Sequence, residues 1–361
     1  MALRVLIMAG GTGGHIFPAL AVAECLRGDG AEVRWLGTRH GMEARIVPGA
    51  GIPMDVIAIG ALRGKGPAGW VLLPLRMGRA LLQSLIVIMR YRPLVVLGMG
   101  GFVSGPGAVM AWLLRIPLVI HEQNAIAGLT NRVLSRMATR TLMGFPGAIA
   151  GRKNLVVTGN PVRGAIAELP PPEARMADRQ GPLRLLVLGG SQGARAINEA
   201  VPSAVARLSG ARRPRIRHQA GERNLEEARK LYASLGVEGD VTAFIDDMAA
   251  ALGWADVVVC RAGALTIAEL AAAGVAAVLI PYPFAVDDHQ THNARYLSDA
   301  GAAVLLPQNG TLTDELHGWL EELLREAPRR RLLDMACAAR RLARPGAART
   351  VARICMEVAH G

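Results

Sequence analysis

Short runs of consecutive apolar residues recur along the chain, and several of them end in glycine-rich turns. The runs at Leu3–Met8 and Val257–Cys260 show no alternation of polar and apolar positions, as is typical of parallel strands covered on both faces. Each is followed by a glycine turn and a helix, the first helix at about Ile16–Arg27. This succession predicts an α/β fold with parallel sheets. Further strands are predicted at Val33–Leu36, Leu94–Leu97, Ile116–Ile120, Val156–Val157, Arg215–Gln219, Val241–Phe244 and Ala276–Ile280, and a helical segment at Leu332–Val358.

The chain contains an internal repeat of this strand and turn. LRVLIMAGGTGG begins at Leu3 and LRLLVLGGSQGA begins at Leu183, an offset of 183 − 3 = 180 residues. The repeat predicts two Rossmann-like domains, residues 1–163 and 183–340. Residues 164–182, with a run of three prolines, are predicted to be the linker. Residues 341–361 are predicted to form a C-terminal helix that crosses back to the first domain.

The positive charge lies in the first half of the chain. Residues 1–163 contain 18 Lys and Arg against 6 Asp and Glu, a difference of 18 − 6 = +12, whereas residues 164–361 contain 23 of each sign. An arginine excess is typical of proteins that bind nucleic acid, an anionic membrane surface or an anionic substrate. Aromatic residues make up only 4% of the chain, too few for the stacking platforms of single-strand binders. We therefore expect no nucleic acid partner.

No stretch reaches the ~20 uncharged apolar residues of a membrane span, and the N-terminal run is too short for a secretory signal. The longest candidate, Trp70–Met89, is interrupted by Pro74, Arg76 and Arg79. Two interpretations remain open for it: a core helix with its arginines in solvent, or an interfacial patch on an anionic membrane. The second is favoured by other apolar and basic residues of the same half, namely Arg90, Trp112, Arg115, Arg136 and Arg140.

The turn after the first strand, AGGTGGH at Ala9–His15, resembles a dinucleotide-binding loop but lacks the GxGxxG spacing. The second strand ends in Gly37-Thr38-Arg39, without the acid that would bind a ribose. NAD binding is therefore not expected. The loop still allows close approach of a phosphate to the backbone. His15 has two possible roles, as a general base, since imidazole titrates near neutral pH, or as a ligand of a diphosphate.

The segment 255–283 predicts a second phosphate site. Arg261, Gly263 and Thr266 follow a buried strand, at the sheet edge where open α/β sheets bind ligands. The helix that begins there presents free N–H groups and a positive dipole end to a diphosphate. Glu269, about one turn further, either binds two ribose hydroxyls or complements the dipole. Asp246-Asp247 and Asp287-Asp288 lack Asp-any-Asp spacing, so no metal is expected, and Asp247 is an equally good helix N-cap.

These motifs and others together resemble the MurG family over nearly the whole chain. The segments that carry the resemblance are, in matching order, GGTGGH, LRGKG, GMGGFVSGP, HEQNAIAGLTN, GNPVR, GGSQGA, FIDDM and RAGALTIAEL. The resemblance implies an inverting transfer of N-acetylglucosamine from UDP-GlcNAc to the C4 hydroxyl of MurNAc in lipid I, undecaprenyl-pyrophosphoryl-MurNAc-pentapeptide. The product would be lipid II, for peptidoglycan synthesis.

The resemblance also implies a GT-B fold, two Rossmann-like domains facing across a cleft, with no metal and no cofactor. The expected partners are UDP-GlcNAc, lipid I, an anionic membrane surface and cell-wall synthesis proteins. The expected location is the cytoplasmic face of the bacterial cell membrane, peripherally attached. Two other functions remain alternatives: a UDP-GlcNAc epimerase of the same two-domain build, and a non-catalytic nucleotide-sugar sensor.

Site residues follow from the same resemblance. For the nucleoside of UDP-GlcNAc it implies Ile245 at the uracil and Glu269 at the ribose. For the diphosphate it implies Ser191 and Arg163, with the helix start Ala264, Leu265 and Thr266 beneath it. For the sugar it implies Gln290 and Asn124, with Thr12, Gly13 and Gly14 closing the site from the other domain. For the acceptor diphosphate it implies Gly11, Thr12, Gly13, Gly14 and His15. The base would be His15 or, as a weaker candidate, Glu122.

Overall fold

The computed structural model describes residues 3–60, 73–190, 194–325 and 327–360. The chain divides into two compact units. The first unit contains the residues up to Arg163 and those from Pro345 onward, and the second contains Gly164–Arg344.

The first unit is built on a parallel sheet of seven described strands. They are β1 (Arg4–Met8), β2 (Glu32–Gly37), β3 (Met54–Val56), β4 (Val95–Gly98), β5 (Leu118–Glu122), β6 (Arg140–Met143) and β7 (Leu155–Val157). Their order is β3-β2-β1-β4-β5-β6-β7, and Leu6 of β1 pairs with Arg34 on one side and Val96 on the other. The order reverses between β1 and β4, and ligands of open α/β sheets bind at such a switch point.

The second unit repeats this plan with six described parallel strands. They are β8 (Arg184–Leu188), β9 (Arg215–Gln219), β10 (Asp240–Thr242), β11 (Val257–Cys260), β12 (Ala276–Leu279) and β13 (Ala303–Leu305). The order is β10-β9-β8-β11-β12-β13, so the switch point lies between β8 and β11.

Helices connect the strands of both units. Those of the first unit are α1 (Gly13–Gly28), α2 (Glu43–Gly49), α3 (Leu73–Tyr91), α4 (Ser104–Leu113) and α5 (Leu129–Leu134), with α15 (Ala347–His360) from the end of the chain. Those of the second unit are α6 (Gly164–Ala167), α7 (Pro172–Met176), α8 (Arg195–Ala206), α9 (Leu225–Ser234), α10 (Met248–Trp254), α11 (Ala264–Ala273), α12 (His289–Ser298), α13 (Leu312–Leu323) and α14 (Pro328–Arg341). Short 3₁₀ turns lie at Gly210–Arg212, Glu222–Asn224 and Val286–Asp288.

Both faces of the first sheet are covered, which explains the unbroken apolar runs. Val5 and Ile7 of β1 pack in the core cluster that contains residues of α1 and α15. Leu6 and Met8 pack in a second cluster with residues of α3 and α4. Successive side chains of a strand point to opposite faces, so a strand covered twice must be apolar at every position.

The segment 164–182, predicted to be a linker, folds as part of the second unit. Arg175 donates to the carbonyls of Leu252, Ala273 and Gly274. Arg179 donates to the buried carboxylate of Asp256 at 2.5 Å. These two arginines therefore fix the proline-containing segment to the sheet edge and to the end of α11.

Other elements also differ from the sequence-based expectation. The strand predicted at Ile116–Ile120 lies at Leu118–Glu122 and so contains His121 and Glu122. The strand predicted at Val241–Phe244 is shorter and starts one residue earlier, at Asp240–Thr242. The helical segment predicted at Leu332–Val358 is two helices, α14 and α15, separated by a break that contains Pro345 and Gly346. Proline and glycine together disfavour a continuous helix there, and the break allows α15 to pack on α1.

Candidate active site

At the switch point of the first unit, the loops after β1 and β4 touch through their backbones. Gly101 has φ +84, and a Cβ built on it would lie 2.2 Å from the carbonyl oxygen of Gly10. The hydroxyl of Ser104 donates to Met8 O at 3.1 Å and accepts from Gly100 N–H at 3.1 Å. Only glycine permits this approach, since any side chain at Gly101 would separate the two loops.

His15 lies in the first turn of α1, directly behind the glycine loop. No side chain caps this helix at Thr12, and the N-terminus of a helix favours an anion. A Cβ at Gly100, which has φ +98, would come within 2.6 Å of His15 Nδ1. The imidazole therefore packs against the backbone of the loop after β4. Gly11, Thr12, Gly13 and Gly14 lie with it at the start of α1.

Glu122, the weaker candidate for the base, is a buried acceptor of four hydrogen bonds. Its Oε1 accepts from the backbone N–H of Asn124 at 2.9 Å and from the Asn124 amide at 3.2 Å. Its Oε2 accepts from Gly128 N–H at 3.2 Å and from Asn131 Nδ2 at 2.8 Å. A carboxylate with both oxygens engaged in this way holds the loop that carries Asn124. This geometry argues against Glu122 as the base.

The loop after β7 is fastened to the loop after β5. His121 is fully buried, and its Nε2 lies 3.0 Å from Gly159 O. Asn160 Nδ2 donates to Gln123 O at 3.0 Å. Arg163 follows three residues after Asn160, so these two hydrogen bonds also fix the position of the backbone that carries Arg163. Burial is the main reason that the pKa of His121 is lowered to about 4, so this histidine is neutral at pH 7.

Arg163 is placed beside α1. Its guanidinium carbon lies 5.3 Å from the centre of the Phe17 ring, within the range of a cation–π contact. Phe17 is two residues beyond His15, and a Cβ at Gly13 would lie 3.0 Å from its ring. Within the first unit, then, Arg163 adds a positive charge to the same end of α1 as His15.

Glu43 is a residue of this region that the sequence did not reveal. It is fully buried in the first turn of α2. Its Oε2 accepts from Gly11 N–H at 3.1 Å, and its Oε1 accepts from Thr38 N–H at 3.0 Å and Thr38 Oγ1 at 2.7 Å. The carboxylate thus joins the glycine loop after β1 to the loop after β2. A Cβ at Gly41 would lie 2.2 Å from the Glu43 oxygens, so a glycine is needed at position 41 to accommodate this carboxylate.

In the second unit, α11 presents its N-terminus at the switch point beside β8. Its N-cap is Gly263, which has no side chain to cap the helix, and Ala264, Leu265 and Thr266 form the first turn at this end, where a helix carries its positive dipole end. The opposite end of α11 is capped by Arg175, which donates to Ala273 O and Gly274 O. Both ends of the helix are therefore arranged as its dipole requires, with a cation at the C-terminus and room for an anion at the N-terminus.

Glu269 follows one turn later on α11 and is 8% exposed. No acid lies in the first turn of α11, and the dipole acts mainly within that turn, so complementing the dipole does not account for Glu269. Its position supports a role in ligand binding, which remains a proposal.

Of the other predicted donor-site residues, Ile245 and Gln290 lie in this unit, whereas Asn124, Arg163 and Thr12 to Gly14 lie in the first unit. Ile245 follows β10, and its N–H donates to Gln219 Oε1 at 3.3 Å. Gln290, at the start of α12, accepts from Tyr282 N–H at 2.9 Å. Arg261 is committed to loop carbonyls, donating to Ile280 O and Pro281 O, both at 3.1 Å. The prediction that Asp247 caps a helix is confirmed, since its carboxylate accepts from Ala250 N–H at 2.8 Å.

Several predicted residues lie outside the described part of the chain. They are Ser191, the LRGKG motif at 62–66, and Trp70, Val71 and Leu72 of the predicted interfacial stretch.

The first unit also exposes apolar side chains on neighbouring helices, which we call the apolar face. Its members are Leu75, Leu82, Ile86 and Met89 on α3, Trp112 and Leu113 on α4, and Leu129 and Val133 on α5. Leu75 and Leu129 are each 73% exposed, and α4 packs against both α3 and α5. Arg90, Arg115, Arg132 and Arg136 are exposed on the same helices or directly after them. The opposite side of α3, with Ala80, Ser84 and Ile88, is buried, as in a core helix, and the membrane interpretation stays a prediction.

No helix of the described residues is long and apolar enough to cross a membrane.

Comparisons with known proteins match both units. The glycosyltransferase family 28 N-terminal domain matches residues 5–143, and the family 28 C-terminal domain matches residues 184–351. A protein of Alkalilimnicola ehrlichii is 58% identical over 359 residues, covering 99% of this chain and 100% of the relative. One of Nitrosococcus oceani is 56% identical over 361 residues, covering 100% of both. Both are named UDP-N-acetylglucosamine–N-acetylmuramyl-(pentapeptide) pyrophosphoryl-undecaprenol N-acetylglucosamine transferase.

Solved structures agree with these relatives. Acinetobacter baumannii MurG matches with a TM-score of 0.83 at 39% identity, covering 98% of this chain and 99% of that one. A UDP-GlcNAc 2-epimerase from Neisseria meningitidis matches with a TM-score of 0.68 at 12% identity, covering 98% and 100%, a likeness of fold alone. Three findings agree: two parallel-sheet α/β units, matches to both family 28 domains, and relatives that match over the full length. The chain therefore belongs to the MurG family of glycosyltransferases, with a GT-B fold.

Proposed function

We propose that this protein transfers N-acetylglucosamine from UDP-GlcNAc to the C4 hydroxyl of MurNAc in lipid I, with inversion at the anomeric carbon, to give lipid II. The observation that carries this proposal is the 58% identity, over the full length, with a relative named for that transfer. The geometry of each unit supports one half of the reaction.

The second unit is suited to the donor. The uncapped N-terminus of α11 offers N–H groups to the UDP diphosphate. Glu269 lies one turn beyond it, where a carboxylate can accept hydrogen bonds from two ribose hydroxyls. Ile245 N–H already donates to Gln219, so its backbone carbonyl and side chain are the parts that would border the uracil. Gln290 would contact the sugar.

The first unit is suited to the acceptor. The loop from Gly11 to Gly14 and the start of α1 would bind the acceptor diphosphate, since an uncapped helix N-terminus favours anions. His15 is the base of this proposal, because each oxygen of Glu122 already accepts two hydrogen bonds, which occupy the lone-pair sites of the carboxylate. The acceptor hydroxyl would attack the anomeric carbon from the face opposite UDP, with its proton passing to the imidazole.

The departing UDP carries negative charge that must be stabilised as the bond to the sugar breaks. The N–H groups at the start of α11 and the guanidinium of Arg163 supply positive charge for this purpose without a metal. Both are preorganised, α11 by the Arg175 cap at its far end and Arg163 by Phe17.

The membrane surface is part of the proposal. An acceptor with a long prenyl chain stays in the bilayer, so the protein must dock there. The apolar face and the arginines beside it are suited to an anionic leaflet, because apolar side chains enter the interface and basic ones are attracted to its charge.

A direct assay tests the function. Purified protein is incubated with UDP-GlcNAc, with and without a lipid I analogue, and free UDP is measured. We expect UDP release only when the analogue is present. Conversion of UDP-GlcNAc to an epimer without acceptor would indicate an epimerase, and binding without turnover in either case would indicate a sensor.

A further inference from the structure

The first unit contains a cavity that none of the proposed substrate contacts uses. Its volume is about 720 Å³, within the range of ligand sites. It lies between the loop after β2, the segment after β3 and the N-terminal half of α3. We call it the basic cavity, because Arg39, His40, Arg76 and Arg79 line it and no Asp or Glu is among its described lining residues. Its remaining surface is largely apolar, with Val56, Ile59 and Met77.

The basic cavity is tied to the glycine loop. Thr38 and Gly41 belong to its wall, and Glu43 joins that wall to the loop by accepting from Thr38 N–H and from Gly11 N–H. Because β1, β2 and β3 are neighbours in the sheet and adjacent strands lie ~4.8 Å apart, the ends of β2 and β3 lie about 5 and 10 Å from that of β1. A ligand at the start of α1 can therefore extend into the cavity.

The cavity lies on a different side of α3 from the apolar face. At 100° per residue, the five residues of α3 that line the cavity, Leu73, Arg76, Met77, Arg79 and Gln83, fall within about 160° of one another. Leu75, Leu82, Ile86 and Met89, which are exposed, cluster about 130° away from the centre of that group. Arg79 lies at the margin between the cavity and the apolar face, about 20° from Ile86, and the other four lining residues face away from the apolar face.

We propose that the basic cavity binds the peptide part of the acceptor, with Arg39, Arg76 and Arg79 holding its carboxylate. This rests on the proposed function. The relatives' name places a pentapeptide on the muramyl sugar, and a peptide attached through its amino end keeps at least its terminal carboxylate. An extended pentapeptide spans ~17 Å, enough to reach the cavity from the glycine loop. Val56, Ile59 and Met77 then contact its aliphatic parts.

The experiment compares two acceptors that share a short prenyl chain, diphosphate and MurNAc, one with the pentapeptide and one without it. In the unmodified protein we expect the peptide-bearing acceptor to have the lower KM. In Arg39→Gln and in Arg76→Gln, its KM should rise about two- to fivefold, the range of one exposed ion pair. The KM of the peptide-free acceptor, the KM of UDP-GlcNAc and kcat with saturating acceptor should stay unchanged.

Arg45→Gln is the matched control, since Arg45 is exposed on α2 but does not line the cavity. It should leave both KM values as they are. A third acceptor, with the terminal carboxylate of the peptide converted to an amide, checks the charge. Its KM should be raised in the unmodified protein and should not rise further in Arg39→Gln, because the two changes remove the same contact.

Three outcomes would overturn the proposal. An equal rise in KM for both acceptors would assign the cavity to the diphosphate. Unchanged KM values with weaker binding to anionic vesicles would assign it to lipid headgroups. If neither the KM values nor vesicle binding changed, the cavity would bind none of the peptide, the diphosphate and the lipid headgroups. Failure of the proposed function is a separate result, in which the unmodified protein releases no UDP with the peptide-bearing acceptor.

Discussion

The two units share one plan but hold their first glycine turn differently. β1 and β8 begin 184 − 4 = 180 residues apart, and each leads into a turn with a glycine at positive φ, Gly11 and Gly190. In the first unit the turn is held by the carboxylate of Glu43. In the second unit residues 191–193 of the turn lie outside the described part of the chain; of the described residues, Gly189 N–H donates to Gln219 O at 3.0 Å, and behind the turn the Asn198 amide donates to Ala220 O at 2.9 Å.

This difference has an electrostatic consequence. A carboxylate beside a loop that we propose to bind a diphosphate opposes that anion, and Arg163 places a compensating positive charge at the same end of α1. The first 163 residues carry an excess of 18 − 6 = +12, whereas the rest of the chain is balanced at 23 against 23. The turn that is held by a carboxylate thus lies in the half of the chain with the excess of positive charge.

The largest effect is expected at the first of these turns. His15→Ala should lower kcat about 10²–10⁴-fold if the imidazole is the base, while the affinity for UDP-GlcNAc, assigned to the second unit, stays unchanged. Steady-state kinetics with a lipid I analogue measure this. If His15 binds the acceptor diphosphate instead, the loss should appear in the acceptor KM.

His360→Ala, at the exposed end of α15, is the control for this prediction and should behave as the unmodified protein. Near-normal kcat and acceptor KM in His15→Ala would remove both roles and, with them, the assignment of acceptor chemistry to the first unit.

The corresponding substitution in the second unit is Glu269→Ala. Loss of hydrogen bonds to a charged group costs about 1.5–3 kcal/mol, so the affinities for UDP and UDP-GlcNAc should each fall about 10- to 100-fold, with the acceptor KM unaffected. Calorimetric titration with UDP measures the effect. Glu227→Ala, at an exposed position of α9, should bind normally. Unchanged UDP affinity in Glu269→Ala would contradict the ribose assignment.

Acid should destabilise both units alike, since each contains a buried neutral histidine. Burial lowers the pKa of His121 and of His218 from 6.5 to about 4. Between those values the unfolded chain binds a proton that the folded unit does not, so the free energy of unfolding falls as the pH drops from 6.5 to 4. At pH 5 the loss is about 2 kcal/mol for each histidine.

Urea unfolding at pH 7 and pH 5, resolved by hydrogen exchange in each unit, measures this loss. His121→Gln should flatten the pH dependence of the first unit alone, and His218→Gln that of the second alone. If both units kept their full stability at pH 5, these histidines would not be neutral in the folded protein.

A smaller effect is expected from the support of the glycine turn. In Glu43→Gln the amide cannot accept from both Gly11 N–H and Thr38 N–H, so the loop loses part of its fixed geometry. The acceptor KM should rise about tenfold, the lower end for loss of a charged hydrogen bond, with the KM of UDP-GlcNAc unchanged. Thr38→Val, which removes only the hydroxyl donor, should have less effect on the acceptor KM. A positioning role is refuted if Glu43→Gln lowers Tm but alters the kinetics with both substrates equally.

The smallest effect concerns the surface of the first unit. Arg136 is exposed just after α5, and a basic residue near an anionic leaflet contributes about 1 kcal/mol. Arg136→Gln should therefore weaken binding to anionic vesicles about fivefold, more at low salt than at high salt. Activity on a short-chain acceptor should not change. Arg212→Gln, exposed in the second unit, should bind vesicles normally, and equal losses in both variants would mean that the apolar face has no special part in docking.

The sequence alone determined the features that local chemistry controls. Unbroken apolar runs indicated doubly covered strands, and β1, β8 and β11 lie where those runs are. The 180-residue repeat predicted two α/β units of the same plan, and Asp247 was recognised as a possible N-cap because capping needs only the next three residues. The motifs indicated the family, since each is a short segment whose residues act together.

The tertiary structure decided what depends on the order of the strands. Glu43 is an ordinary first-turn acid in the sequence, and only the pairing of β1 with β2 places it under Gly11. Glu122 was a candidate base until the fold brought Gly128 and Asn131 to its second oxygen. Arg175 made residues 164–182 part of the second unit by reaching carbonyls about 100 residues away. A hydrogen bond between distant segments leaves no periodic or local pattern in either segment, so neither sequence stretch could reveal it.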